Sequence, residues 1–298
     1  MIWVTWRQQR AQAIGMLVLL AIIGIYALVL GLAMRSSFNS ADLGTCLARN
    51  GGAGCAVTIN SFIKKFSGPL SLPVSILVFV IPGYLGAVVG APLLGQELER
   101  GTWRLAWSQT LPRRRWLAVK LALITGVLVV FAVAVTLLLT WSRSPLDRVG
   151  TRLQPQPFNF EGIVLPCALL CGFGLALLAG LLLRNTIGAM IAGYIAWEIP
   201  FVMSLLLLAG PIHIFAASKT IQCHGNACAT ASVGSSPPVT GQLGDQVLGI
   251  VHSGSHLTVN YLPAGAFWPL QFVIGGMYLA IAAAAIGATL WLLRRRTT

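Results

Sequence analysis

Long uncharged apolar runs alternate with short polar segments along this chain, and the runs are too long for the helices of a water-soluble core. Residues 13–33 carry no charge, residues 121–141 are a continuous Val/Leu-rich run, and residues 73–94 are uncharged but interrupted by Pro82 and Pro92. Residues 162–183 and 187–209 are parted only by Arg184, Asn185 and Thr186, which reads as a hairpin, and the last run is 267–293. A hydrocarbon core about 30 Å thick takes about 20 apolar residues as a helix. The pattern therefore predicts an all-α integral membrane fold: six transmembrane helices forming a single transmembrane domain over residues 1–298. Segments 34–72, 142–161 and 210–266 are expected as outer loops. The start, MIWVTWRQQR, places Trp3 and Trp6 beside Arg7 and Arg10, the pattern of an amphipathic helix lying on the inner leaflet. The first apolar run is long and has no clear small-residue cleavage site after it, so a cleavable signal peptide is not expected.

Composition agrees with a chain that threads the bilayer. Hydrophobic residues make up 56% and charged residues 9%, against about 25% charged in a soluble domain. The mean hydropathy is +0.81. A soluble enzyme, a disordered chain and a fibrous protein are all excluded. The net charge of +13 then reads as loop anchors beside anionic lipid, with no nucleic-acid partner expected. Arg7, Arg10, Arg100, Arg104, Arg113, Arg114, Arg115, Lys120, Arg184, Arg294, Arg295 and Arg296 all fall inside if the N-terminus is inside. Six spans then return the C-terminus to the same side. Arg143, Arg148 and Arg152 run against this assignment, with only Asp147 and Glu161 to balance them. Trp3, Trp6, Trp116 and Trp291 near the inner interface, and Trp141 and Trp268 near the outer one, fit an aromatic belt.

Candidate chemistry divides by side of the membrane. Cys46 and Cys55 flank a Gly-rich stretch in the first outer loop, and Cys223 and Cys228 sit in CHGNAC in the third. Short-loop pairs on an oxidising side read as disulfides. Cys167 and Cys171 are one turn apart in the fourth span and read as packing residues. His213, His224, His252 and His256 also lie in the third outer loop. With Cys223 and Cys228 they could make a zinc ligand set, but the spacing is not that of a standard finger and the thiols are expected to be oxidised, so no metal is expected. Glu198, in WEIP of the fifth span, is the one charge well inside a run. An intramembrane acid is costly and should face the bundle, a cavity or a partner. Two readings stay open: a substrate or gating group beside a Pro200 kink, or a structural hydrogen-bonded acid near the outer third. Gly86 and Gly90 in span two, and Gly276, Ala280, Ala284 and Ala288 in span six, form small-residue ladders that permit close helix contact.

The most informative stretch is GQELERGTWRLAWSQTLPRRRWLAVK, residues 95–120. Glu97 and Glu99 precede Arg100-Gly101-Thr102, then a segment with Trp103, Leu105, Ala106 and Trp107, a break at Pro112 and a basic run. It reads as a short charged amphipathic helix parallel to the membrane, hinged at Gly101, able to receive a push from a soluble partner. Here the sequence resembles the permease subunits of ABC-2 type ATP-binding cassette exporters. The resemblance rests on Glu97/Glu99, Gly101-Thr102, Leu105, Arg113–Arg115 and Lys120, with the six-span layout behind them. It implies that this stretch is a coupling helix, with Glu97, Glu99, Arg100, Gly101, Thr102 and Trp103 docking an ATPase subunit. The polar, Gly/Ser-rich outer segment before the last span departs from that family, which usually has short apolar re-entrant helices there.

No G-x-x-x-x-G-K-[ST] phosphate loop occurs in the chain, so the chain is not expected to be an enzyme or to hold a cofactor. ATP and Mg would belong to a partner ATPase, in two copies, beside a second six-span subunit, most simply a second copy of this chain. The function expected is outward transport of an amphipathic or hydrophobic substrate (drug, antibiotic or lipid) across a bacterial plasma (inner) membrane. The alternatives are an ion- or proton-coupled secondary transporter and a non-transporting assembly or sensor subunit.

Overall fold

The computed structural model describes residues 2–48, 53–99, 113–209, 215–222, 245–253 and 256–295. Helix α1 (Ile2–Ser40) is followed by a short α2 (Leu43–Ala48) and by α3 (Ala53–Ser75). A π-helical turn (Ile76–Val80) leads into α4 (Ile81–Glu99). Then come α5 (Arg113–Asp147), the short α6 (Pro155–Phe160), α7 (Val164–Leu183) and α8 (Thr186–Ala209). Strands β1 (Ala217–Gln222), β2 (Gln246–Ser253) and β3 (His256–Leu262) precede α9 (Phe267–Arg295).

The frame is helical, as the apolar runs require. Among the described residues five helices are long and apolar enough to cross a membrane: Gln12–Ser40, Ala118–Asp147, Val164–Leu183, Thr186–Leu208 and Ala264–Leu293. The expected second span, 73–94, is built differently. It begins inside α3, passes through the π turn and ends in α4. Pro82 explains the irregularity, because it lacks the N–H that an α-helical ladder needs at that step and a π turn re-registers the backbone around it. The N-terminal segment is not a separate interfacial element. It is continuous with the first span in α1, since no Gly or Pro lies between Ile2 and Ala13 to stop propagation.

Among the described residues the expected outer loops hold regular elements. Residues 34–72 form the end of α1, then α2 and α3, closed by a Cys46–Cys55 disulfide with Cα atoms 5.8 Å apart. Phe62 packs on both Phe38 and Phe66 inside this hairpin. Residues 142–161 extend α5 and add α6. Between α8 and α9 lies an antiparallel sheet of order β1-β3-β2, with Thr220 opposite Thr258 and Ile250 opposite Val259.

α7 is the central helix, packed against α4, α5, α8 and α9. The α4–α7 crossing depends on missing side chains. A Cβ on Gly86 would lie 2.4 Å from the Gly172 carbonyl carbon, and one on Gly90 2.6 Å from the Phe173 oxygen. α1 meets α5 along a second seam. Met16 and Ile23, with Ala27, Met34 and Phe38, are buried opposite Leu121, Leu128 and Val135. That seven-residue spacing keeps one stripe facing its partner.

Two prolines inside helices release carbonyls, and α1 supplies a donor for each. Pro92 cannot bond the Val88 oxygen, and the Gln12 side chain donates to it at 3.3 Å. Pro145 leaves the Trp141 oxygen free, and Arg35 donates at 3.1 Å while Ser144 donates at 3.0 Å. A freed carbonyl in hydrocarbon is costly unless re-satisfied, so these bonds tie α1 to the proline positions of α4 and α5.

Candidate functional site

At one end of the bundle the turn between α7 and α8 is built residue by residue. Arg184 takes the left-handed conformation (φ 53°) and ends α7, its N–H reaching the Gly180 oxygen. The Asn185 Oδ1 then accepts from the backbone N–H of Ile187 and Gly188, capping α8. Thr186 turns to the neighbouring helix: its N–H and its hydroxyl both donate to the Glu99 Oε2, at 3.1 and 2.7 Å. A carboxylate on a helix N-terminus gains from orphan N–H groups and from the positive end of the dipole. The last residue of α4 is thereby clamped to the first of α8. Lys120, buried near the start of α5, donates to the Leu93 oxygen at 3.5 Å and draws α5 to the same end of α4.

Of the residues expected to dock a partner, Glu99 is thus placed, exposed and holding Thr186. Glu97 lies in α4, and its side chain lies outside the described residues. Arg100, Gly101, Thr102 and Trp103 lie outside them too, as does the expected coupling helix. Cys223, Cys228, His213 and His224 also fall outside. The Cys46–Cys55 pairing is present, and Cys167 and Cys171 are buried free thiols. Among the described residues no group of three or more His, Cys, Asp or Glu could hold a metal.

Glu198 and Pro200 sit on α8 at the edge of its buried face. Trp197 is enclosed, stacked 5.4 Å from Tyr278 and 6.1 Å from Phe201, and Gly83 of α4 leaves room for its ring. Ile187, Ile191, Ile195 and Ile199 point outward. Glu198 lies between these faces, half-buried, one turn after Tyr194.

α4 is thus clamped to α8 at one end, with α7 at the centre of the bundle. The family described as ABC-2 membrane transporter related matches residues 17–234. The chain belongs to this family. No curated protein and no solved structure matches it. As an ABC-2 family member it is a multi-pass membrane protein and a transporter subunit, and the family implies partnership with an ATPase. The matched range runs from within α1 through α8 and β1; β2, β3 and α9 follow it.

The opposite end of this ABC-2 chain holds a charged cluster that the sequence showed only as an awkward excess of arginines. Glu161, in the turn between α6 and α7, is fully buried. Its Oε2 accepts from Arg152 Nε, and Arg143 Nε lies 3.8 Å from Oε1 and 2.9 Å from Asp147. Arg152 also covers the Phe267 ring at 4.5 Å. Burial, aided by the Asp147 charge, pushes the Glu161 carboxyl up to about 7, while Arg152 and Arg143 pull it the other way. Beside it, the buried Gln271 accepts from the N–H groups of Ile163 and Val164 and donates to the Phe158 oxygen at 2.7 Å. One α9 side chain thus caps α7 and holds α6. Gln271 was legible as a lone amide within the last apolar run. The Arg–Glu pairing was not, because its partners are separated along the chain.

Proposed function

We propose that this chain is the membrane-spanning subunit of an ATP-driven exporter, moving an amphipathic or hydrophobic substrate outward with hydrolysis on a separate ATPase. The observation that carries the reading is the Glu99–Thr186 clamp. Glu99 ends α4 within the 95–107 stretch assigned to docking. A load on the end of α4 reaches Thr186, hence α8 and the end of the central helix, through the Glu99 hydrogen bonds. Glu97, Arg100, Gly101, Thr102 and Trp103 are then the docking residues, and ATP and Mg belong to the partner.

In this reading the π turn and α4 together make the sixth span, the whole chain is one transmembrane domain, and both termini lie inside a bacterial inner membrane. Six spans form half a pathway, so two copies of the chain pair about a two-fold axis with two ATPases. Glu198, on the α8 face beside Pro200, is the pathway candidate.

The test uses the chain co-purified with its ATPase. The mass of the complex counts the copies. The Glu97→Ala/Glu99→Ala variant is expected to lower stimulated hydrolysis about tenfold, the order of one charge-assisted hydrogen bond, while remaining membrane-inserted. Glu99→Gln keeps an oxygen for Thr186 and is expected to retain most of the coupling. A complex whose assembly and hydrolysis ignore the double substitution overturns the assignment.

Orientation has its own check. The disulfide hairpin at the Ser40 end is expected outside, so a membrane-impermeant thiol reagent should label Cys46 or Cys55 on intact cells only after reduction. Labelling that requires permeabilisation reverses the topology.

A further inference from the structure

Three helices bring cations together at the Ser40 end of α1, and the carboxylates nearest along α5 are already engaged. Asp147 is held by Arg143, and Glu161 by Arg152 and Arg143. That leaves Arg148 of α5, exposed, with its guanidinium 5.8 Å over the Phe38 ring. Lys65 of α3, also exposed, donates to the hydroxyl of Ser37, the residue before Phe38, at 3.1 Å. One turn earlier on α1, Arg35 lies 3.8 Å over the Trp141 ring and bonds the Trp141 oxygen and the Ser144 hydroxyl. Lys64 stands exposed next to Lys65. Asp42, in the turn after α1, is the nearby acid outside the ion pairs.

The setting identifies what these charges face. Immediately below them, toward the bundle centre, Val29, Leu32 and Leu137 are exposed apolar side chains, as lipid-facing residues are. Trp141 stands at the boundary, where an indole marks the headgroup level. The cations therefore sit at the depth of lipid phosphates. Arg148 lies on an aromatic face that holds its guanidinium in place while leaving its N–H groups to donate, and Arg35, whose Nη2 is engaged by Trp141 and Ser144, adds charge behind it. Arginine donors in a fixed fork suit a phosphate oxygen pair.

We propose that Arg148 and Lys65, backed by Arg35 and seated around Ser37–Phe38, form a binding site for the phosphate of an anionic phospholipid headgroup in the leaflet at the Ser40 end. The site bridges α1, α3 and α5, so the bound lipid pins the disulfide hairpin to the end of α5. It stands independently of the transport reading, since it concerns this chain in a bilayer with or without an ATPase.

The experiment measures thermal unfolding of the full chain in nanodiscs of phosphatidylcholine alone and with phosphatidylglycerol added, and in phosphatidylcholine with inorganic phosphate. Phosphatidylglycerol is expected to raise the unfolding temperature above both other conditions. Its apparent affinity should fall about fivefold for each charge removed in Lys65→Gln and Arg148→Gln, the usual worth of one basic side chain at an anionic surface. Arg148→Lys, which keeps charge but not the planar fork, should retain part of the effect. Equal stabilisation by phosphatidylcholine, full stabilisation by inorganic phosphate, or a preference that survives Lys65→Gln and Arg148→Gln overturns the proposal. Lys65→Gln alters an exposed side chain, so the test does not depend on the α5 variant folding.

Discussion

Gly86→Ala is expected to destabilise the protein by at least about 1–3 kcal/mol, the usual cost of forcing extra atoms into a packed contact. The new Cβ would lie 2.4 Å from the Gly172 carbonyl carbon and 2.6 Å from the Phe173 N. Both are backbone atoms of the central helix, so no rotamer change relieves the overlap and α4 must move away from α7. Interfaces between membrane helices draw their stability from such close approach, because lipid offers apolar groups no worse an environment than protein does. Gly276→Ala is the matched control. It also lies in an apolar helix and in a small-residue ladder, but a Cβ there meets nothing within 4 Å. Helix propensity alone then favours alanine by about 1 kcal/mol. Thermal unfolding of the two variants in one detergent should move in opposite directions; equal losses would mean that the α4–α7 contact does not govern stability.

That pair also shows where the sequence was legible and where it stopped. Gly86–Gly90 and Gly276–Ala280–Ala284–Ala288 carry the same spacing, yet the first is buried against α7 and the second faces outward. Spacing defines a face that can approach closely; what approaches it is a tertiary fact. Five of the six apolar runs fall on helices long and apolar enough to cross a membrane, because the hydrophobic signal is long and continuous there. The Arg184-Asn185-Thr186 turn was also readable from local chemistry, a stop followed by a cap. The hairpin of α2 and α3 was hidden by the Gly-rich stretch and by Lys64 and Lys65, although Ile59, Phe62 and Phe66 already mark one buried helical face. The sheet was hidden by the Gly/Ser-rich composition of the segment around it, although β3, HLTVNYL, alternates as a strand does. Glu99 was singled out from its neighbours in sequence as a docking group. Its bond to Thr186 joins residues far apart in the chain, and no local pattern announces it. Glu161 lies at the mouth of a span, where sequence alone suggests solvent. Burial there comes from α5, α6 and α9 closing over it.

The Glu161 cluster gives the chain a pH-dependent stability with a definite sign. The carboxyl is raised from its ordinary 4.5 to about 7, first by burial and then by the Asp147 charge. Two effects oppose each other: the Arg152 and Arg143 cations favour the carboxylate, and loss of water around it favours the acid. Burial wins, because the side chain is fully enclosed while Arg152 keeps 40% of its own exposed to solvent. Between about pH 4.5 and about 7 the folded chain therefore binds more protons at this site than the unfolded chain does, and stability falls as pH rises through that window. The contribution is complete below the lower value and lost above the upper one. Its ceiling is about 3 kcal/mol, at 1.36 kcal/mol for each pKa unit. Unfolding followed across pH 4.5–8 should show this decline, and Glu161→Gln, which cannot titrate, should flatten it. Replacing the flanking charges separates the causes. Asp147→Asn removes the like charge and should move the window down, whereas Arg152→Gln removes the nearer cation and should move it up. A decline that persists unchanged in Glu161→Gln would assign the titration to another group and remove Glu161 from the account.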